Sequence, residues 1–252
     1  SREIRTPKAR AFVDVMLRRD SREASTDPDE ARQERGNGPV WGEDFGRVAA
    51  GPLSGQGGWV GDADIRVGKG REGLGGMMVD GFAGPRGALT QVSRPVEIGK
   101  ASRVELSFKA FAASRRGERS SHNSGVGLNS TRSRYMSLLS WCAVCGSLTR
   151  EGGGPYWAFD ARFGAKDPAR YIKVPGGFAK AVSLRIVVDK VGLVVWGGYD
   201  FGGGESGETP RVSITAEQAA MLDEVRLFQD SRGDRSAGLE IGSLEVVCGP
   251  GR

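Results

Sequence analysis

A single histidine, three cysteines and no long apolar run are the scarcities that bound this 252-residue chain. No apolar stretch approaches the roughly 18 residues of a membrane-spanning helix, and no secretory hydrophobic region stands ahead of a cleavage site. A chain that opens on Ser1 rather than Met is expected to be processed or truncated. The missing leader is therefore no argument for the cytoplasm, and the expected location is exported, periplasmic or extracellular. Three cysteines do not close a disulfide framework. Cys142 and Cys145 have C-x-x-C spacing in WCAVCG, but no βαβ pattern surrounds them. A tetrahedral zinc site needs about four ligands, and only His122 and carboxylates stand beside the thiols. The cysteines read as structural, on or beside a strand, with a pairing of Cys248 to one of the others left open for an exported chain. No recognition helix, zinc finger or RNP-type motif turns the basic residues into nucleic-acid readout. No internal repeat is present.

What is abundant is glycine, with 40 residues and no collagen-like period, beside ten Phe and five Trp. Many short strands separated by turns fit that composition, and a single all-β domain of this length is ordinary. Val104, Leu106 and Phe108 alternate with Glu105, Ser107 and Lys109, the pattern of a strand with one buried face. Tyr171 to Val174 is a short strand. Leu184, Ile186 and Val188 form the first arm of a hairpin, Asp189 to Gly192 its turn, and Leu193 to Trp196 its return. Leu239 to Val247 is the closing strand. Thr215-Ala216-Glu217-Gln218 spells a capping box and predicts one short helix over 215–222, after which Val225 to Phe228 resumes a strand.

Residues 1–38 differ from the remainder, with nine Lys or Arg and eight Asp or Glu. Ala9, Phe12, Val13 and Met16 recur at helical spacing after Pro7, predicting a short helix within 7–19. The same stretch also alternates at strand period. It reads as a charged arm, ending in a polar linker from Ser21 to Gly38, that docks on the domain or on a protein partner. The domain boundaries are thus 1–38 and 39–252.

From Asp44 to Trp59 the chain reads DFGRVAAGPLSGQGGW: an acid and an aromatic, a short apolar run, a Gly-Pro turn, three glycines around Ser54 and Gln56, then tryptophan. This resembles the "E-D-F … G-x-L-x-G-Q-x-G-W" opening of concanavalin A-like, laminin G-like jelly-roll domains of exported bacterial proteins. The Thr215 segment resembles that family's "t-a-e-q" element ahead of the final strands. The resemblance spans about 42–248 and implies a two-sheet antiparallel jelly-roll sandwich, with Trp59 capping its edge.

Hydrolases of this fold carry E-x-D-x-x-E or E-x-D-x-E on one strand, where a retaining pair sits about 5 Å apart. No such string occurs here. Asp62 and Asp64 alternate but follow a glycine turn, and Glu43 and Asp44 would face opposite sides. Alginate-lyase relatives are echoed faintly by SREIR and YIKVPGG, but their Q-I-H element is absent and His122 is expected in a Ser-rich loop. The chain is therefore expected not to be an enzyme. No cofactor is expected. Calcium stays unplaced among Asp62, Asp64, Asp200 and Asp230, each of which is equally turn chemistry. Arg232-Gly233-Asp234 spells an integrin-type tripeptide that chance explains in an Arg- and Gly-rich chain.

The candidate ligand-binding residues are aromatic and basic. Tyr156, Trp157, Trp196 and Tyr199 lie near turns, where flat rings stack on sugar faces, against the bland alternative that both tryptophans are core. Arg115 and Arg116 belong to the densest basic region, Arg103 to Arg134, which suits an acidic polysaccharide or is a solvated loop. Three functions follow: a non-catalytic module recognising glycan or acidic polysaccharide; a structural or assembly subunit making protein contacts through its arm and faces; and, weaker, a polysaccharide-degrading enzyme. Exposure of the four rings around one groove would favour the first, and their burial, with residues 1–38 extended away from the sandwich, the second.

Overall fold

A computed structural model describes residues 39–68, 77–79, 89–114, 122–133, 137–145, 156–163, 170–176, 180–231 and 237–249. The expected arm at 1–38, Arg115, Arg116 and the Arg232-Gly233-Asp234 tripeptide lie outside the described residues. The strands are β1 (Pro39–Asp44), β2 (Gly51–Pro52), β3 (Val60–Gly61), β4 (Ile65–Val67), β5 (Met77–Val79), β6 (Leu89–Pro95), β7 (Arg103–Ser114), β8 (His122–Asn129) and β9 (Leu139–Cys145). They continue with β10 (Tyr156–Ala161), β11 (Arg170–Pro175), β12 (Val182–Asp189), β13 (Val194–Asp200), β14 (Ser206–Glu208), β15 (Val212–Ser213), β16 (Glu224–Ser231) and β17 (Ala237–Gly249). The helix α1 covers Ala216–Ala220.

One sheet runs β14-β13-β12-β7-β17-β5-β4-β2, with β1 also on β17 and β15 also on β13; the other runs β11-β10-β9-β8-β16-β6-β3. All pairings among described strands are antiparallel. The expected all-β, two-sheet architecture is the one observed. Its core lies between the sheets. Val104, Leu106 and Phe108 of β7 and Leu184, Ile186 and Val188 of β12 are buried there with Trp141 and Phe159 of the facing sheet. The Trp141 indole N–H crosses to donate to the Arg185 carbonyl on β12 (2.8 Å), joining the two sheets at their centre.

The local signals in the sequence became local structure. Asp189 turns the β12–β13 hairpin by accepting the Val191 and Gly192 amides on one carboxylate oxygen (3.0 and 2.8 Å). The Thr215 hydroxyl accepts the Gln218 amide (3.1 Å), and the Gln218 side chain accepts the Thr215 amide (2.9 Å). In the glycine-rich opening segment, the Asp44 carboxylate caps a single 3-10 turn by accepting the Gly46 amide (3.0 Å). Trp59 is buried edge-on against Trp41 at 5.7 Å. Its N–H donates to Glu43 Oε2 (3.2 Å), the same oxygen that takes the Arg94 guanidinium (3.0 Å). Gly57, at φ 53°, lets the loop lie against that pair: a Cβ there would stand 3.3 Å from Glu43 Oε2.

Two expectations are corrected. His122 does not lie in a loop; it opens β8, paired with Cys145 and Ser231. Cys142 and Cys248 are free thiols on different sheets, in β9 and β17, so the open pairing of Cys248 does not reach Cys142. Burial is the main reason the Cys142 thiol is pushed up to about 12; the Asp160 carboxylate adds to the rise and the Ser140 hydroxyl opposes it. Such a thiol is a small hydrophobe rather than a nucleophile.

Candidate functional site

Strand alternation divides each sheet into a core face and an outer face. On the second sheet the outer face is closed. Ser140, Cys142, Ala158 and Phe228 are buried there, beside an ion pair between Glu224 and Arg226 that is itself 3% and 5% exposed. Gly125 of β8 makes room for this layer, since a Cβ would stand 2.5 Å from the Phe228 ring.

The first sheet is different. Between its buried positions, β7, β12, β13, β14 and β17 turn polar side chains outward, and these line a groove of about 630 Å³. Antiparallel register aligns them in two rows. Ser206, Asp200, Ser183, Lys109 and Ser243 are paired successively across the five strands. One pair further along the strands run Glu208, Gly198, Arg185, Ser107 and Glu245. At the usual strand separation the rows extend roughly 19 Å.

The floor has one fixed polar contact. Arg185 donates from Nη2 to Glu208 Oε1 at 2.6 Å, with both side chains nearly half exposed. The arginine lies over Gly198, where a Cβ would stand 2.2 Å from its Nε. Asp200 accepts the Gly202 amide on Oδ1 (2.7 Å), which builds the turn between β13 and β14. Lys109, Ser183, Ser206, Ser243 and Glu245 are exposed.

The aromatic residues expected to form a platform do not gather. Trp157 is fully buried in the core between the sheets, so it presents no face to a ligand. Tyr199 borders the groove, but its ring turns to the core, edge-on to Trp141 at 6.3 Å and 5.0 Å from Phe201. Tyr156 is half-buried on the outer face of the second sheet, with the Lys173 ammonium 5.1 Å from its ring centroid. Trp196 shares the outer face of the groove, yet it is 3% exposed. The guanidinium groups of Arg211 and Arg103 lie 4.4 and 5.4 Å from its ring centroid.

Of the acids weighed for calcium, Asp62 accepts the Gln91 amide (2.6 Å) beyond the end of β3, Asp64 sits in the following turn, and Asp230 lies within β16. Among the described residues no three His, Cys, Asp or Glu side chains are grouped to hold a metal ion. The groove residues Lys109, Ser183, Arg185, Glu208, Ser243 and Glu245 were missed by a search for aromatics near turns. For Lys109 and Arg185 the signal was the polar half of the alternation in the strands of residues 103–109 and 184–188.

No family model and no curated protein matches this chain. Solved structures do match. Lectin II from Ulex europaeus is 8% identical with a TM-score of 0.57, covering 84% of this chain and 100% of that one. The CBM2 module of the evolved Dit of Lactobacillus casei BL23 phage J-1 is 10% identical with a TM-score of 0.56, covering 84% and 96%. A bifunctional GH43-CE chain from Bacteroides eggerthii is 13% identical with a TM-score of 0.55, covering 83% of this chain and 26% of that one. At these identities the likeness is one of fold, and it agrees with the two stacked antiparallel sheets: the chain is a lectin-like jelly-roll β-sandwich.

Proposed function

We propose that this chain is a non-catalytic recognition module of the laminin G-like kind, exported, that binds glycan in the groove across β14, β13, β12, β7 and β17. The observation that carries the reading is the pair of polar rows on the outer face of the first sheet. Serine hydroxyls, an arginine, a lysine and carboxylates converge there, and these are the donors and acceptors that sugar hydroxyls use. The lectin and phage-module neighbours support it. With few rigid aromatic contacts, affinity is expected in the micromolar to millimolar range, or roughly −8 to −4 kcal/mol.

Placing an indole in the groove tests the site. Ser183 is exposed, so Ser183→Trp is expected to leave the melting temperature unchanged and to abolish binding on a glycan array and in NMR titration. A hit retained in full by Ser183→Trp would move the site elsewhere, and an array without hits would remove the reading.

Two observations support other readings. Burial of Trp157 and near-burial of Trp196 favour an assembly subunit, for which a protein partner captured through the exposed faces, without glycan binding, is the expected result. Asp200 and Glu208 are diagonal neighbours on adjacent strands, with Cα atoms about 7–8 Å apart, which would suit a catalytic pair. Their engagement with Gly202 and Arg185 supports the non-catalytic reading instead. Release of reducing ends from a bound polysaccharide, lost in both Asp200→Asn and Glu208→Gln, would restore catalysis.

A further inference from the structure

We infer that the groove selects neutral, hydroxyl-rich glycans over polyanionic ones, with the Arg185–Glu208 pair as the specificity-determining contact. The inference rests on the reading of the groove as a glycan site and concerns only the charge class of its ligand.

The charge in the groove opposes the charge of the chain. Over the whole sequence Lys and Arg exceed Asp and Glu by five, and the basic residues between Arg103 and Arg134 suggest an anionic partner. In the groove, Lys109 and Arg185 face three carboxylates, those of Asp200, Glu208 and Glu245. One of the two cations is already neutralised, because Arg185 holds Glu208 at 2.6 Å. A polyanion laid along the rows would meet the carboxylates of Asp200 and Glu245, which outnumber the one remaining cation, Lys109, or would have to displace Glu208 from Arg185. Like charges at close range disfavour both arrangements.

A neutral glycan meets no such obstacle. Beyond its mutual contact, the pair has no other side-chain hydrogen-bond partner among the described residues. Arg185 thus keeps further N–H donors and Glu208 a second acceptor oxygen, side by side over Gly198. A donor next to an acceptor matches adjacent hydroxyls of one sugar ring, and each such bond is charge-assisted without requiring a charge on the ligand. The four groove serines donate or accept as needed and add no charge preference.

The test titrates the whole chain with a neutral β-glucan, a neutral galactomannan, polygalacturonate and a sulfated polysaccharide, each at low and at high salt. Neutral-glycan binding is expected to be insensitive to salt, lost in Ser183→Trp, and weakened about tenfold or more in both Arg185→Met and Glu208→Gln. Binding of a polyanion is expected to fade with salt and to survive Ser183→Trp, as contact with basic residues outside the groove would. Circular dichroism and melting of the variants separate a lost contact from a lost fold. A polyanion whose salt-resistant binding is abolished by Ser183→Trp and strengthened by Glu208→Gln would overturn the inference while keeping the glycan site. Absence of binding to all four polymers would overturn the glycan reading itself, and the inference with it.

Discussion

Arg185 reaches Glu208 across the bare Cα of Gly198. The three residues sit in one row on β12, β13 and β14, and the guanidinium spans the middle strand to make its 2.6 Å contact. A methyl group at residue 198 would stand 2.2, 2.6 and 2.9 Å from Nε, Cγ and Cδ of the arginine.

Gly198→Ala should therefore swing Arg185 off the groove floor and break its pair with Glu208. The displaced atoms belong to a flexible, half-exposed side chain, so the stability cost is expected below about 1 kcal/mol. Glycan affinity should drop as it does in Arg185→Met. Its neighbour provides the contrast. A Cβ on Gly197 would stand 2.5 Å from the Trp141 ring and 2.8 Å from Phe159, inside the packed core. Gly197→Ala is expected to cost about 1–3 kcal/mol or more by overpacking. Urea unfolding of the two variants, with ligand titration, reads both effects.

Trp157→Ala is expected to destabilise the sandwich by about 3–5 kcal/mol, the range for removing a fully buried large aromatic. Trp196 covers the outer face rather than filling the core, so Trp196→Ala should cost less. Removing only the stacked cation, in Arg211→Ala, should cost about 0.5–1 kcal/mol. Equal losses for Trp157→Ala and Trp196→Ala in chemical denaturation would contradict the assignment of the two rings to different faces.

Cys142 should resist alkylation in the folded protein at pH 8 and react once the chain is unfolded, as mass mapping of iodoacetamide adducts would show. Its thiol titrates near 9 when unfolded and is pushed up to about 12 when folded. Between those values the unfolded state holds fewer protons, so stability is fully present below pH 9 and falls as pH rises toward 12. The Cys248 thiol is also raised, again chiefly by burial, and contributes in the same direction. Cys142→Ala is expected to flatten the alkaline part of the stability profile; an unchanged slope would show that this thiol is not shielded.

Thr215→Ala removes the hydroxyl that accepts the Gln218 amide and should cost about 1 kcal/mol. Thr215→Ser keeps the acceptor and should restore most of that stability in thermal melts. Loss of the same amount in both variants would place the effect in packing instead of capping.

The legible parts of the chain are those decided within a few residues. Asp189 and the Thr215 box appear in the structure as the sequence spells them, because each closes a hydrogen bond over two or three positions. The core half of β7 and β12 was equally legible from its alternation. The strand carrying Trp157 was not, since Trp157 and Phe159 are buried on one face and Ala158 on the other, so period 2 carries no sign of which side is the core.

The sequence by itself determined an all-β chain with its turns, its helix cap and the inward residues of its half-exposed strands. These follow from backbone preferences and side-chain alternation, which are local. Only the tertiary structure decided that Lys109, Arg185, Glu208 and Glu245, spread over more than a hundred positions, share one outer face, and that Trp157 does not. That outcome depends on which strands pair and in what register, and a shift of one residue would send every side chain of a strand to the opposite face.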